Sequence, residues 1–225
     1  MSNLFGSKGP QNPHMLVGSG LPREVADVRA DVDAAFNELE NGGLYLTDEF
    51  TNPVAAAANY LKASFATSTS AVKLVASDLA QATLPSGARE VTIGRSSAAG
   101  AYTAGASILV HGKAYGKKRT LTFVVPDANG GDTLTSTERE GLDEITSVEI
   151  PAQATTGGAF VIGITAKLGL RGGVKTRAGL AAAIREVVDG ALVTTGTFDG
   201  RLYIPATAPN GTHDYAMTYE VNPAG

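Results

Sequence analysis

The stretch SILVHGKAYGKKRTLTFVV, residues 107–125, decides how the chain reads. Ile108 and Val110 point opposite to Ser107, Leu109 and His111. Leu121, Phe123 and Val125 alternate with Thr120, Thr122 and Val124. Alternation with a period of two marks strands with one face in a core and one in water. The Gly-flanked break between Gly112 and Gly116 turns the chain back between them.

The same pattern extends in both directions from about Ala71. Val72, Leu74 and Ala76 alternate with Lys73, Val75 and Ser77, and Val91 and Ile93 alternate with Glu90 and Thr92. Further strands are expected over 145–150, 160–164, 202–204 and 215–221. Turn clusters separate them at 127–132 (DANGGD), 156–158 and 209–211. Many short strands with frequent turn signals predict a mainly β fold, an antiparallel β-sandwich or jelly-roll-like domain over residues 65–225. Residues 175–188 (KTRAGLAAAIREVV) are open to two readings. One is a helix with Leu180, Ile184 and Val187 on a face. The other is a strand over residues 183–188, with Asp189-Gly190 as a type I′ turn into 191–195. An Asp-Gly between apolar runs favours the strand pair, because both central residues need positive φ.

Upstream the pattern differs. Residues 1–20 (MSNLFGSKGPQNPHMLVGSG) hold no clean period and read as an extended arm. Residues 22–40 read as a helix: Pro22 suits a first turn and Gly42-Gly43 supply a stop. Leu21, Val25, Val28, Val32, Ala35 and Leu39 are spaced by alternating fours and threes, a heptad seam that is open to two readings: a helix laid on its own domain, with Phe36 broadening the stripe, or a helix pairing with copies of itself or a partner subunit. Residues 53–62 predict a second short helix, closed by the Ser/Thr run at 67–70. Residues 21–64 are thus expected to form a helical anchor segment.

Composition narrows function by exclusion. The chain has 225 residues, no Cys, no Trp and three His, with 18% charged residues and a net charge of −4. Cys nucleophiles and thiolate metal sites are excluded. No broad attraction to nucleic acid or anionic membrane is expected, and no apolar run reaches membrane-span length. The first 20 residues lack the apolar core of a secretory signal, so synthesis in the cytoplasm is expected.

Chemistry-bearing motifs are weak throughout. Gly112-Lys113-Ala114-Tyr115-Gly116-Lys117-Lys118 has phosphate-loop flavour, but the glycine spacing is short and no helix follows. His213 and Asp214 are adjacent, so in a strand they face opposite ways and make no base–orienter pair. Asp127, Asn129 and Asp132 could offer oxygens to calcium, yet the spacing departs from an EF-hand loop and a turn explains it. Asp143 and Glu144, side by side, are poorly placed for paired-carboxylate hydrolysis. The basic cluster Lys113, Lys117, Lys118 and Arg119 has only Tyr115 for an aromatic, unlike a nucleic-acid groove. Asn210-Gly211-Thr212 is a sequon by spacing and a turn by context. No catalytic residue, cofactor or metal site is assigned.

Several stretches resemble virion structural proteins of tailed bacteriophages. They are LPREVADVRADVDAAFNELE (21–40), LYLTDEFTNPVAAAANYLKAS (44–64), REVTIGRSSAAGAYTAGASILVHGKAYGKKRTLTF (89–123), EITSVEIPAQATTGGAFVIGITAKLGL (144–170) and REVVDGALVTTGTFDGRLYIPATAPNGTHDYAMTYEV (185–221). The resemblance lies in cadence more than in motif. It implies a ligand-free β domain in the capsid shell or its attachments, with no catalytic residues to carry over. The expectation is a capsid decoration (cement) protein located in the virion. Its partners would be the major capsid protein and copies of itself, as a homotrimer, with neither nucleic acid nor membrane. A neck, tail or baseplate protein is the alternative. The expected contact residues are Leu4, Phe5 and Leu16 in the arm and Val25, Val28, Val32 and Leu39 on the seam. Apolar residues on a flexible arm suit pockets on a neighbouring subunit.

Overall fold

A computed structural model describes residues 44–84, 86–174, 176–177, 180–181, 185–193 and 196–221. The arm, the helix expected over 22–40, and all seven expected contact residues lie outside them. The description below concerns residues from Leu46 onward, which cluster as one unit.

The described chain is mainly β. The strands are β1 Leu44–Phe50, β2 Ala57–Ala66, β3 Val72–Val75, β4 Arg89–Arg95, β5 Ser107–Ala114, β6 Lys117–Val124, β7 Thr133–Thr135 and β8 Glu144–Ile150. They continue as β9 Ala159–Gly169, β10 Thr176–Arg177, β11 Leu180–Ala181, β12 Arg185–Val188, β13 Ala191–Val193, β14 Thr197–Asp199, β15 Leu202–Ile204 and β16 Tyr215–Val221. A single 3-10 turn, Ala76–Asp78, interrupts them among the described residues.

One sheet runs β3-β8-β5-β6, and another runs β1-β16-β12-β13. A third runs β14-β15-β9-β4-β7, with β2 also paired to β9. β10 and β11 form a separate small pair. The long strand β9 is the spine. Its first half pairs with β2 through Ile164, Ile162, Phe160 and Ala159. Its end pairs with β15 through Leu168 and Gly169. The strand therefore feeds two hydrophobic clusters. Phe160, Ile162 and Ile164 join Val91, Ile93, Ile108, Val110, Leu121, Phe123 and Val148 in the first. Leu168 and Leu170 join Phe50, Tyr203, Tyr215, Met217 and Tyr219 in the second. Full burial of such a side chain contributes about 1.5–3 kcal/mol, so these clusters outweigh the surface ion pairs.

The residues expected to alternate do so: Ile108, Val110, Leu121 and Phe123 have no exposed surface. β5 and β6 pair in register from Ser107↔Val124 to Ala114↔Lys117. That leaves Tyr115 and Gly116, with φ of 51° and 75°, as a two-residue type I′ turn. The Asp189-Gly190 turn has the same construction, with Val188↔Ala191 paired and φ of 51° and 78°. The strand-pair reading of 183–195 therefore holds over 185–193, and residues 183–184 and 194–195 lie outside the described ones.

The helical reading of residues 44–64 does not hold where the chain is described. Residues 44–50 are β1, and the second helix expected over 53–62 is replaced by β2, which runs through residue 64 to Ala66. Its alanines favour helix locally. Pairing on β9 overrides that preference. Gly163 has no side chain, and a Cβ there would lie 2.3 Å from the carbonyl oxygens of Ala57 and Ala58. The absent Cβ lets β2 press onto β9, and Leu61 of β2 is completely buried in the first cluster.

Candidate functional site

Where β9 leaves the first cluster, buried polar groups hold the chain. Arg89, 1% exposed, opens β4. Its guanidinium donates to the carbonyls of Val54 at 2.7 Å, Lys167 at 3.3 Å and Thr165. Burial pushes its pKa down to about 10. Beside it, Lys167 bridges Glu90 at 3.0 Å and Asp199 at 2.9 Å. Two residues past β9, Arg171 binds the buried carboxylate of Asp48 on β1 through Nε, and its backbone N–H donates to the same carboxylate at 2.9 Å. Tyr219 on β16 donates its hydroxyl to Asp48 at 2.7 Å. Burial, then the hydrogen bond to Asp48, raises the Tyr219 pKa, while that same carboxylate keeps Arg171 firmly protonated.

Around Arg171 a pocket of about 130 Å³ opens. The β5–β6 turn places the Tyr115 ring on its wall, with the hydroxyl donating to the Gly169 carbonyl at 2.6 Å. Burial, followed by the nearby charge of Asp48, raises the Tyr115 pKa. The Arg171 guanidinium lies 5.8 Å from the Tyr115 ring centroid. Lys117 and Arg119 sit two residues apart on β6 and so project to one face. Glu140 enters from the segment between β7 and β8, and Arg201 from the turn between β14 and β15. That turn is pinned by the Leu170 N–H donating to the Arg201 carbonyl at 2.9 Å and the Arg201 N–H to the Arg139 carbonyl at 3.0 Å. Glu140 receives two arginines: Arg119 Nε lies 3.3 Å from Oε2, and Arg201 Nε 3.4 Å from Oε1. Four cations thus line a pocket with one lining carboxylate.

Apart from Tyr115, Lys117 and Arg119, the residues singled out from the sequence fall outside this pocket and are mostly paired. Asp132 and Asp127 both bind the buried Arg95, at 2.6 and 3.4 Å. Asp127 also accepts from the Asn129 and Gly130 N–H groups, which with Arg95 hold its carboxyl below the usual range. The DANGGD segment is therefore a turn fastened to Arg95. No group of three or more His, Cys, Asp or Glu placed to hold a metal occurs among the described residues. His213 lies 2.7 Å from Asp189, not from its neighbour Asp214, which accepts from the Asn52 N–H. His111 contacts Thr120 at 3.0 Å and approaches Glu149 at 3.6 Å. Lys113 pairs with Glu144, and Asp143 accepts from the Tyr115 N–H. Asn210 closes its own turn by accepting from Thr212 and His213. Of the basic cluster, Lys117 and Arg119 reach the pocket. Its other cations, Arg171 and Arg201, come from distant strand ends whose only sequence signal is the Gly-adjacent turn around each.

No candidate membrane-spanning helix occurs among the described residues. No family model matches the chain, and no curated protein or solved structure matches it.

Proposed function

We propose that the chain is a non-enzymatic structural protein of a tailed-bacteriophage virion, a capsid decoration (cement) protein whose sheets stack as an antiparallel β-sandwich. The body is the β domain, and the apolar arm and seam upstream are the anchor. A homotrimer at three-fold positions of the shell bridges neighbouring capsomers of the major capsid protein. Binding only the assembled state shifts the equilibrium away from disassembly, by RT ln(1 + [L]/Kd) for each site. Synthesis in the host cytoplasm precedes attachment.

The observation that carries this reading is how the reactive side chains are used. Arg95 with Asp127 and Asp132, Asp48 with Arg171 and Tyr219, Lys167 with Glu90 and Asp199, and His213 with Asp189 each tie a loop or strand end to a neighbour. Such groups act as fasteners for a β body that lacks disulfides. The stretches that resemble phage virion proteins at 89–123, 144–170 and 185–221 coincide with β4–β6, β8–β9 and β12–β16.

The test is to add the purified chain to particles lacking it, pellet them and measure occupancy. Saturation at three-fold positions supports the proposal. Copies confined to six- or twelve-fold rings would move the chain to the neck, tail or baseplate. Replacing His111 or His213 with Ala is expected to leave particle binding intact, and loss of a hydrolytic activity on either change would overturn the structural reading.

A further inference from the structure

We propose that the cationic pocket beside the β5–β6 turn is a docking site for a single carboxylate side chain carried on an acidic segment of a partner protein. The pocket is the local exception in a chain of net charge −4. Lys117, Arg119, Arg171 and Arg201 line it, against Glu140 inside and Asp48 behind Arg171. Asp143, whose carboxylate accepts from the Tyr115 N–H at 2.6 Å, is a third acid beside the pocket, so one positive charge remains in excess.

The arginines are committed only in part. Glu140 engages Arg119 and Arg201 through Nε at 3.3 and 3.4 Å, and neither guanidinium makes a side-chain hydrogen bond among the described residues. Their terminal N–H groups therefore keep donor capacity. With side chains only 30% and 24% exposed, both are partly desolvated. A guanidinium is a planar fork that matches a carboxylate with two parallel hydrogen bonds. Lys117 makes no ion pair among the described residues and adds a point charge at the same pocket.

Shape and charge select the ligand. A volume of about 130 Å³ takes the end of one side chain, not an extended strand. The Tyr115 ring and Leu170 offer an apolar wall to the carbons of an aspartate or glutamate. A singly charged carboxylate balances the excess without strong repulsion from Glu140, whereas doubly charged phosphate is brought against that acid. Charges elsewhere on the surface are screened beyond roughly 8 Å at physiological salt, so the pocket presents its own field to an approaching acidic segment.

The inference stands apart from the virion reading, because its test needs no particles. A glutamate hexapeptide with blocked ends is titrated into the full-length protein at about 0.15 M ionic strength by calorimetry, alongside inorganic phosphate. The peptide is expected to bind, and the Arg119→Ala/Arg201→Ala double variant to weaken it about tenfold or more, since a hydrogen bond to a charged group carries roughly 1.5–3 kcal/mol. Lys117→Glu, at an exposed position, is expected to weaken binding severalfold while leaving the far-ultraviolet spectrum unchanged. This second variant keeps the test valid if the double variant unfolds. Lys73→Ala, on β3, is expected to change nothing. Absent peptide binding, or binding unaffected by Lys117→Glu, overturns the proposal. Phosphate binding as tight as the peptide's and lost in the same variants also overturns it, and makes the pocket a site for a free oxyanion.

Discussion

Arg89 shows what a single buried charge does in this protein. Its guanidinium meets three backbone carbonyls, from Val54, Thr165 and Lys167, so it joins the chain before β2 to the end of β9. Arg89→Ala strands all three carbonyls and opens a cavity. The expected loss is on the order of 3 kcal/mol or more, read as a lower urea midpoint. Arg89→Lys recovers little of it, because one ammonium cannot span three acceptors in the same fork geometry. Asp199 gives a pH-dependent counterpart. Its hydrogen bond to Lys167 holds its pKa below the usual value, with Arg139 adding to the effect. A depressed carboxylate contributes stability that is fully present above its unfolded pKa of about 3.9 and is lost as pH falls through its lower folded value. The urea midpoint of the wild type is expected to fall across that acidic window, and Asp199→Asn to show a shallower fall there. An equal slope in both proteins would remove Asp199 from the acid response.

At the scale of elements, the hairpins were legible and β2 was not. Alternation over 107–111 and 120–125, with Gly116 between, is local information and yields β5 and β6 directly. Asp189-Gly190 likewise announces its own turn. The alanines of β2 carry a local preference for helix, and what overrides it sits about a hundred residues away at Gly163. The pocket escaped the sequence for the same reason: Lys117 and Arg119 are neighbours, but Arg171 and Arg201 join them only after β9 and β15 pair. Two glycine substitutions separate these kinds of information. Gly190 needs only its positive φ, and a Cβ there meets nothing within 4 Å. Gly190→Ala is therefore expected to cost about 1 kcal/mol. At Gly163 a Cβ runs into the backbone of β2. Gly163→Ala is expected to cost more, up to about 3 kcal/mol, since relief requires moving a strand. Urea midpoints ranked in the opposite order would contradict the β2–β9 close approach.

Across the described β unit, β9 supplies Phe160, Ile162 and Ile164 to one cluster and Leu168 to the other. Loss of either cluster removes one half of the strand on which the other is built. The clusters are therefore expected to unfold together. Tyrosine fluorescence, to which Tyr102 of the first cluster and Tyr203, Tyr215 and Tyr219 of the second contribute, is expected to follow the same single urea curve as the far-ultraviolet signal. Two separated transitions would mean that β9 does not couple them. Residues 1–20 carry Leu4, Phe5, Met15, Leu16 and Val17, and the proposed anchoring assigns these side chains contacts on a partner that offset roughly 1–2 kcal/mol of backbone entropy per residue fixed. The central claim is attachment to an assembled shell, and the most direct measurement is sedimentation of the full-length chain with particles lacking it, over a concentration series, beside a chain without residues 1–20. The account predicts saturable co-sedimentation of the full chain and much lower occupancy for the truncated one. A folded full-length chain that stays in the supernatant at every concentration would contradict it.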